Sequence, residues 1–117
     1  MLDEKEILKI AVKALDEKKG KDIKVLRISD ISTLADYFVI CTASSANHVK
    51  TLSDVVELRL TEYGEEPLRR EGARSDTWVL LDYSCVVIHI FLPESRDFYK
   101  LERLWADAEE TDISDII

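Results

Sequence analysis

The segment Cys85-Val86-Val87-Ile88-His89-Ile90-Phe91 restricts this chain more than any other. Both of its alternating faces are apolar, so it reads as a strand that must be covered on both sides. Just before it stands Trp78-Val79-Leu80-Leu81-Asp82, separated by too few residues for anything but an antiparallel hairpin. A second two-faced run, Tyr37-Phe38-Val39-Ile40-Cys41-Thr42, predicts another central strand. A fold built around two such strands needs cover on both faces of one sheet, or on one face with a partner on the other.

The remaining periodicities say what supplies the cover. Ile7, Ile10, Ala11, Ala14 and Leu15 form one stripe of a first helix. Asp3 caps it with Glu6 three residues on, and Gly20 is expected to supply the left-handed residue that stops it. A strand from Ile23 to Ser29 places Ile23, Val25 and Arg27 on one face and Lys24, Leu26 and Ile28 on the other. The polar run Thr42 to Asn47 offers caps for a second helix, whose buried stripe is Val49, Leu52, Val56, Leu60 and Tyr63 and which Gly64 closes. A short strand from Pro67 to Glu71 precedes the hairpin. A last helix opens at Pro93-Glu94-Ser95, with Phe98, Leu101, Trp105 and Ala108 as its stripe. The order helix, two strands, helix, three strands, helix predicts an α/β, or α+β layered, fold with a mixed sheet of about five strands flanked by helices. Residues 1–108 read as one globular domain, and 109–117 as an acidic, mobile tail.

Composition narrows the classes of function. With 117 residues, 46% of them hydrophobic and 34% charged, the chain is long enough to bury a core unaided. It has no run of about twenty apolar residues that would span a bilayer and no basic, apolar leader, which together predict a cytoplasmic protein, or the mature part of an organelle protein. Cys41 and Cys85, both inside apolar strand patterns, read as buried thiols. The net charge of −8 is uneven: residues 1–50 carry nine Lys or Arg against eight Asp or Glu, and the rest carry seven against sixteen. Such a surface repels phosphate backbones, which disfavours sequence-specific nucleic-acid binding, and attracts basic protein partners.

Chemistry is poorly represented. Cys85 and His89 are roughly 13 Å apart along a regular strand, too far for a nucleophile–base pair. Two His and two Cys lack the close pairing that a zinc site needs. Asp30, Asp36 and Asp82 lie near strand ends and keep open a carboxylate metal site, although turns and caps also favour Asp there. There is no glycine-rich phosphate loop. Trp78 is different. It follows the charged stretch Glu71 to Thr77 that contains Arg74, and it leads through Leu80, Leu81 and Asp82 to Tyr83. Large aromatics with a polar rim are what protein interfaces favour. Trp78 is the expected anchor, with Leu80 or Leu81 and Tyr83 around it and Arg74 and Asp82 fixing register.

Two stretches carry a resemblance. Asp36-Tyr37-Phe38-Val39-Ile40-Cys41-Thr42-Ala43-Ser44-Ser45 with His48-Val49 resembles the first half of the ribosomal silencing factor, or Iojap-related, family. Glu71-Gly72, Trp78, Asp82, Val86 to Phe91, and Arg96 to Trp105 resemble its second half. The resemblance implies a small mixed sheet related to the nucleotidyltransferase fold and no enzymatic activity or cofactor. It implies a homodimer or monomer that binds large-subunit ribosomal protein fourteen and blocks joining of the small subunit, so that translation falls under nutrient shortage. It also implies a role for relatives in large-subunit assembly. The Gly-Ser pair and Asp-x-Asp metal motif of catalytic fold relatives are missing: Ala43 precedes Ser44-Ser45, and no Asp-x-Asp occurs. Ser84-Cys85 stands where many relatives have Gly-Asp after the hairpin strand. Two rivals remain: a small metal-dependent nucleotidyltransferase or nucleotide binder using Asp30, Asp36 and Asp82, and an assembly factor whose apolar patch is only its self-interface.

Overall fold

In the computed structural model, residues 2–29, 35–72, 78–93, 109–111 and 113 are described. The first helix, α1, spans Glu4–Glu17, and the Asp3 side chain accepts a hydrogen bond from the Glu6 N–H at 2.8 Å. That satisfies one of the donors a helix start leaves unpaired. Its end departs from expectation. The left-handed residue is Lys19, with φ 63°, not Gly20. Gly20 is needed for another reason: a Cβ there would lie 2.5 Å from Cys41 Sγ and 3.0 Å from the Leu15 carbonyl oxygen. The glycine lets the chain cross close over the central strand.

Strand β1 is Lys21–Arg27 and β2 is Tyr37–Thr42. Helix α2, Ala46–Glu62, begins with Ser45 as its cap, whose side chain accepts from the His48 N–H. Strands β3 (Arg69–Glu71), β4 (Trp78–Asp82) and β5 (Val86–Phe91) follow. The chain closes with β6, Glu109–Thr111. The sheet order is β3-β4-β5-β2-β1-β6. The β2–β5 pair is parallel, and the other four pairs are antiparallel. This is the expected mixed α+β sheet with one strand more. The sixth comes from the tail: Glu109 to Thr111 pair with Arg27 to Val25. Backbone groups on the open edge of β1 need partners whatever side chains the partner carries, so an acidic segment serves. The expected last helix over residues 94–108 lies outside the described residues.

Helices α1 and α2 pack on each other and on one face of the sheet. They enclose Leu8, Ala11, Val12, Leu15, Leu52, Val56 and Leu60 with Val25, Val39, Cys41, Val79, Leu81, Ile88 and Ile90. The other face carries a second cluster: Leu26, Ile28, Phe38, Ile40, Val87 and Phe91, with Trp78 and Leu80 packed against it. Two buried faces explain why β2 and β5 have no polar alternation. Tyr63, expected in the α2 stripe, is 59% exposed because the helix ends one residue before it. Among the described residues no helix is long and apolar enough to cross a membrane.

Candidate docking surface

Strand β4 alternates in burial. Val79 and Leu81 point into the helical layer, and Trp78, Leu80 and Asp82 stand half-buried on the opposite face. The register sets neighbours across that face: Trp78 opposite Phe91, Leu80 opposite His89, and Ile40 opposite His89 on the far side. Side chains sharing a face of adjacent strands stand within contact of each other. The result is a row of nearly parallel rings. Trp78 lies 6.1 Å from Phe91 at 13° and 6.2 Å from His89 at 14°, and His89 lies 5.9 Å from Phe91 at 2°. Phe38 meets His89 edge-on at 5.0 Å.

A hydrogen bond fixes the indole within this row. Trp78 Nε1–H donates to His89 Nδ1 at 3.4 Å. Nδ1 therefore carries a lone pair, and the imidazole proton sits on Nε2, a buried atom with no hydrogen-bond partner. Burial pushes the His89 pKa down from 6.5 to about 4, so the ring is neutral near pH 7. Trp78 is thus held in one orientation with part of its surface open.

The polar rim comes from β3. Arg69 faces Asp82 and Glu71 faces Leu80 in the antiparallel register. Arg69 bonds the Asp82 carboxylate through Nε at 3.3 Å and Nη2 at 3.2 Å, and Glu71 through Nη1 at 3.1 Å. Asp82 also accepts from the Ser84 N–H at 2.8 Å. Ser84 is left-handed, φ 72°, and this Asp82 bond supports the hairpin turn. On the other face of β3, Arg70 reaches back to α2 through Ser53, Asp54 and Glu57. It ties the rim strand to the helical layer. Gly72 ends β3 in a left-handed conformation, φ 75°, with a Cβ position that the Trp78 carbonyl would occupy. The approach to the tryptophan therefore runs over a glycine.

The expected site residues separate by strand parity. Trp78, Leu80 and Asp82, all half-buried, share the face opposite the helices. Leu81 is fully buried and Tyr83 is 6% exposed, both in the helix-side core, so neither lies on the Trp78 surface as expected. Burial first, then the nearby Glu57 carboxylate, holds the Tyr83 phenol well above its ordinary pKa, and its hydroxyl has no hydrogen-bond partner. Arg74 lies outside the described residues, as does Asp30. His89, Phe91, Phe38, Arg69 and Glu71 were missed; the signal for them was strand alternation combined with register, and register is not written in a single strand. Cys85 belongs to the helix-side core and His89 to the other face, so they form no pair. Among the described residues no three His, Cys, Asp or Glu side chains gather as metal ligands.

The family model described as "Ribosomal silencing factor during starvation" matches residues 2–117. The chain belongs to the ribosomal silencing factor family. It is 38% identical to the ribosomal silencing factor of Bacillus subtilis over 112 residues, 96% of this chain and 95% of that protein. The crystal structure of a Chromobacterium violaceum protein superimposes with a TM-score of 0.87 at 39% identity, covering 90% of this chain and 88% of that one. A mouse protein named for mitochondrial assembly of the large ribosomal subunit is 32% identical over 80% of this chain and 42% of its own length.

Proposed function

We propose that this chain is a non-catalytic, cytoplasmic repressor of translation. It docks on the large ribosomal subunit through the Trp78 face, with large-subunit ribosomal protein fourteen as its contact, and excludes the small subunit by occupying its place. Family membership supports a ribosomal role. The observation that carries the choice of surface is the half-open indole locked by His89 and Phe91. An aromatic already held in its bound orientation loses little entropy on docking, and such residues dominate interface energetics. The chain's net charge of −8 favours a basic ribosomal protein as the contact. Relatives named for large-subunit assembly support a second role on the same particle.

The test is Trp78→Ala, checked for fold by circular dichroism and then run with purified subunits on sucrose gradients. Loss of a central aromatic anchor weakens binding by about 2 kcal/mol or more, roughly thirtyfold. The variant is expected to leave the large-subunit fractions and to permit subunit joining. A folded variant that comigrates and inhibits normally refutes the assignment. Sedimentation of the protein alone that shows a dimer lost in the variant, with ribosome binding intact, makes the patch a self-interface instead.

A further inference from the structure

The turn between α1 and β1 concentrates cations in an otherwise acidic chain. Lys18, Lys19 and Lys21 are all exposed. Among the described residues none of them forms an ion pair. The arginines behave differently: Arg59, Arg69 and Arg70 are each bonded to at least one carboxylate. Of the acids nearest the turn, Glu17 is taken by Arg59. Residues 13–24 carry Lys13, Lys18, Lys19, Lys21 and Lys24 against Asp16, Glu17 and Asp22, a local positive excess in a chain of net −8.

The turn is also held in place. The Lys18 carbonyl accepts from His48 Nε2–H at 2.7 Å, and His48 Nδ1 accepts from the Ser44 N–H at 2.8 Å. The lysine turn is therefore clamped to the start of α2, whose helix dipole adds positive potential there. Lys19 sits in the left-handed region, where glycine or asparagine is less strained. Nothing in the packing asks for a lysine side chain at that position.

Register places this turn at the same end of the sheet as Trp78, with Gly20 over the helix-side Cys41 and Trp78 on the opposite face. Lys21 pairs with Thr42, Thr42 with Phe91, and Phe91 with Trp78, one row across four strands. At about 4.8 Å per strand, Lys21 and Trp78 are roughly 14 Å apart along the sheet. A particle that fills the Trp78 end also meets the lysines.

We infer that Lys18, Lys19 and Lys21 form a second contact on the same docking edge and bind the phosphate backbone of ribosomal RNA next to the protein contact. The inference rests on the docking reading above. A chain of net −8 is repelled by RNA, and a local reversal of sign relieves that repulsion where the docked protein meets the RNA beside its protein contact. The contact is to phosphate and carries no sequence preference.

Two probes separate the contacts: purified large subunits, and purified ribosomal protein fourteen without RNA. The triple variant Lys18→Gln, Lys19→Gln, Lys21→Gln is compared with a triple Lys→Arg variant and with Trp78→Ala, after thermal melts establish that all are folded. Each phosphate contact adds about 0.7 to 0.9 to the slope of log K against log salt. The Gln variant is expected to bind subunits roughly ten- to hundredfold more weakly at low salt, with a slope lower by about two. It should bind the isolated protein as wild type does, and the Arg variant should keep the wild-type slope. An unchanged slope with normal subunit binding overturns the phosphate contact alone. An equal loss on the isolated protein overturns it in favour of a protein contact. Wild type failing to bind subunits overturns the docking reading and this inference with it.

Discussion

Acidification should destabilise this protein through one ring. His89 is buried in the aromatic row, and its folded pKa of about 4 lies below the ordinary 6.5. A depressed histidine pKa means that the unfolded chain binds the proton first. Stability is therefore complete above about pH 6.5, falls as pH drops, and levels off once pH passes below about 4. The full span is worth about 3 kcal/mol, at about 1.4 kcal/mol per pH unit, and the part between pH 7 and pH 5 is about 2 kcal/mol. For a small domain that is a large fraction of a total near 5 to 15 kcal/mol. The control is His89→Phe, which keeps an aromatic ring beside Phe91 and Phe38 but cannot titrate. It leaves the Trp78 N–H without its His89 acceptor, so it starts from a different stability at pH 7. Urea unfolding at pH 7, 6 and 5 reads the slopes, and carboxylate titration is common to both proteins. Wild type should lose about 2 kcal/mol more than His89→Phe over that range. Parallel curves for the two would refute the buried, neutral imidazole and with it the hydrogen bond that orients Trp78.

Two further substitutions test the packing. Gly20→Ala places a methyl group 2.5 Å from the buried Cys41 sulfur and should cost about 1 to 3 kcal/mol, visible as a fall in Tm; an unchanged melting curve would mean the crossing is looser than described. Tyr83→Phe removes a buried hydroxyl that has no partner, so it should be neutral or stabilising by up to about 1 kcal/mol in denaturant unfolding. A loss of more than that would show that the hydroxyl is bonded.

The helices and central strands were legible because periodicity and capping are local. Asp3 with Glu6, the stripe from Ile7 to Leu15, and the two-faced runs around Val39 and Ile88 each report on their own segment. Trp78 was legible as a large aromatic at the start of a strand for the same reason. What failed depended on partners distant in sequence. Leu81 and Tyr83 are as apolar as Leu80, and only the sheet decides which face meets the helices. Gly20 looked like a helix stop, yet its role is set by Cys41 on a strand that comes later. The acidic tail gave no strand pattern, and its pairing with β1 is a backbone ladder that any sequence can make. His89 read as a core or lining residue; its part in orienting Trp78 needed the β4–β5 register.

The parallel pairing of β2 with β5 also sets an order of events. Tyr37 must find Val86, 49 positions later, with a helix and the β3–β4 pair made in between. Closure over that distance is slow compared with local pairing. Among the described residues, the rings in the row beneath Trp78 come from those two strands. A nascent or clipped copy that ends before Val86 has its tryptophan but no platform beneath it. The aromatic row beside Trp78 thus arrives late and all at once, so on the docking role proposed above an incomplete copy is not a weak version of the finished protein.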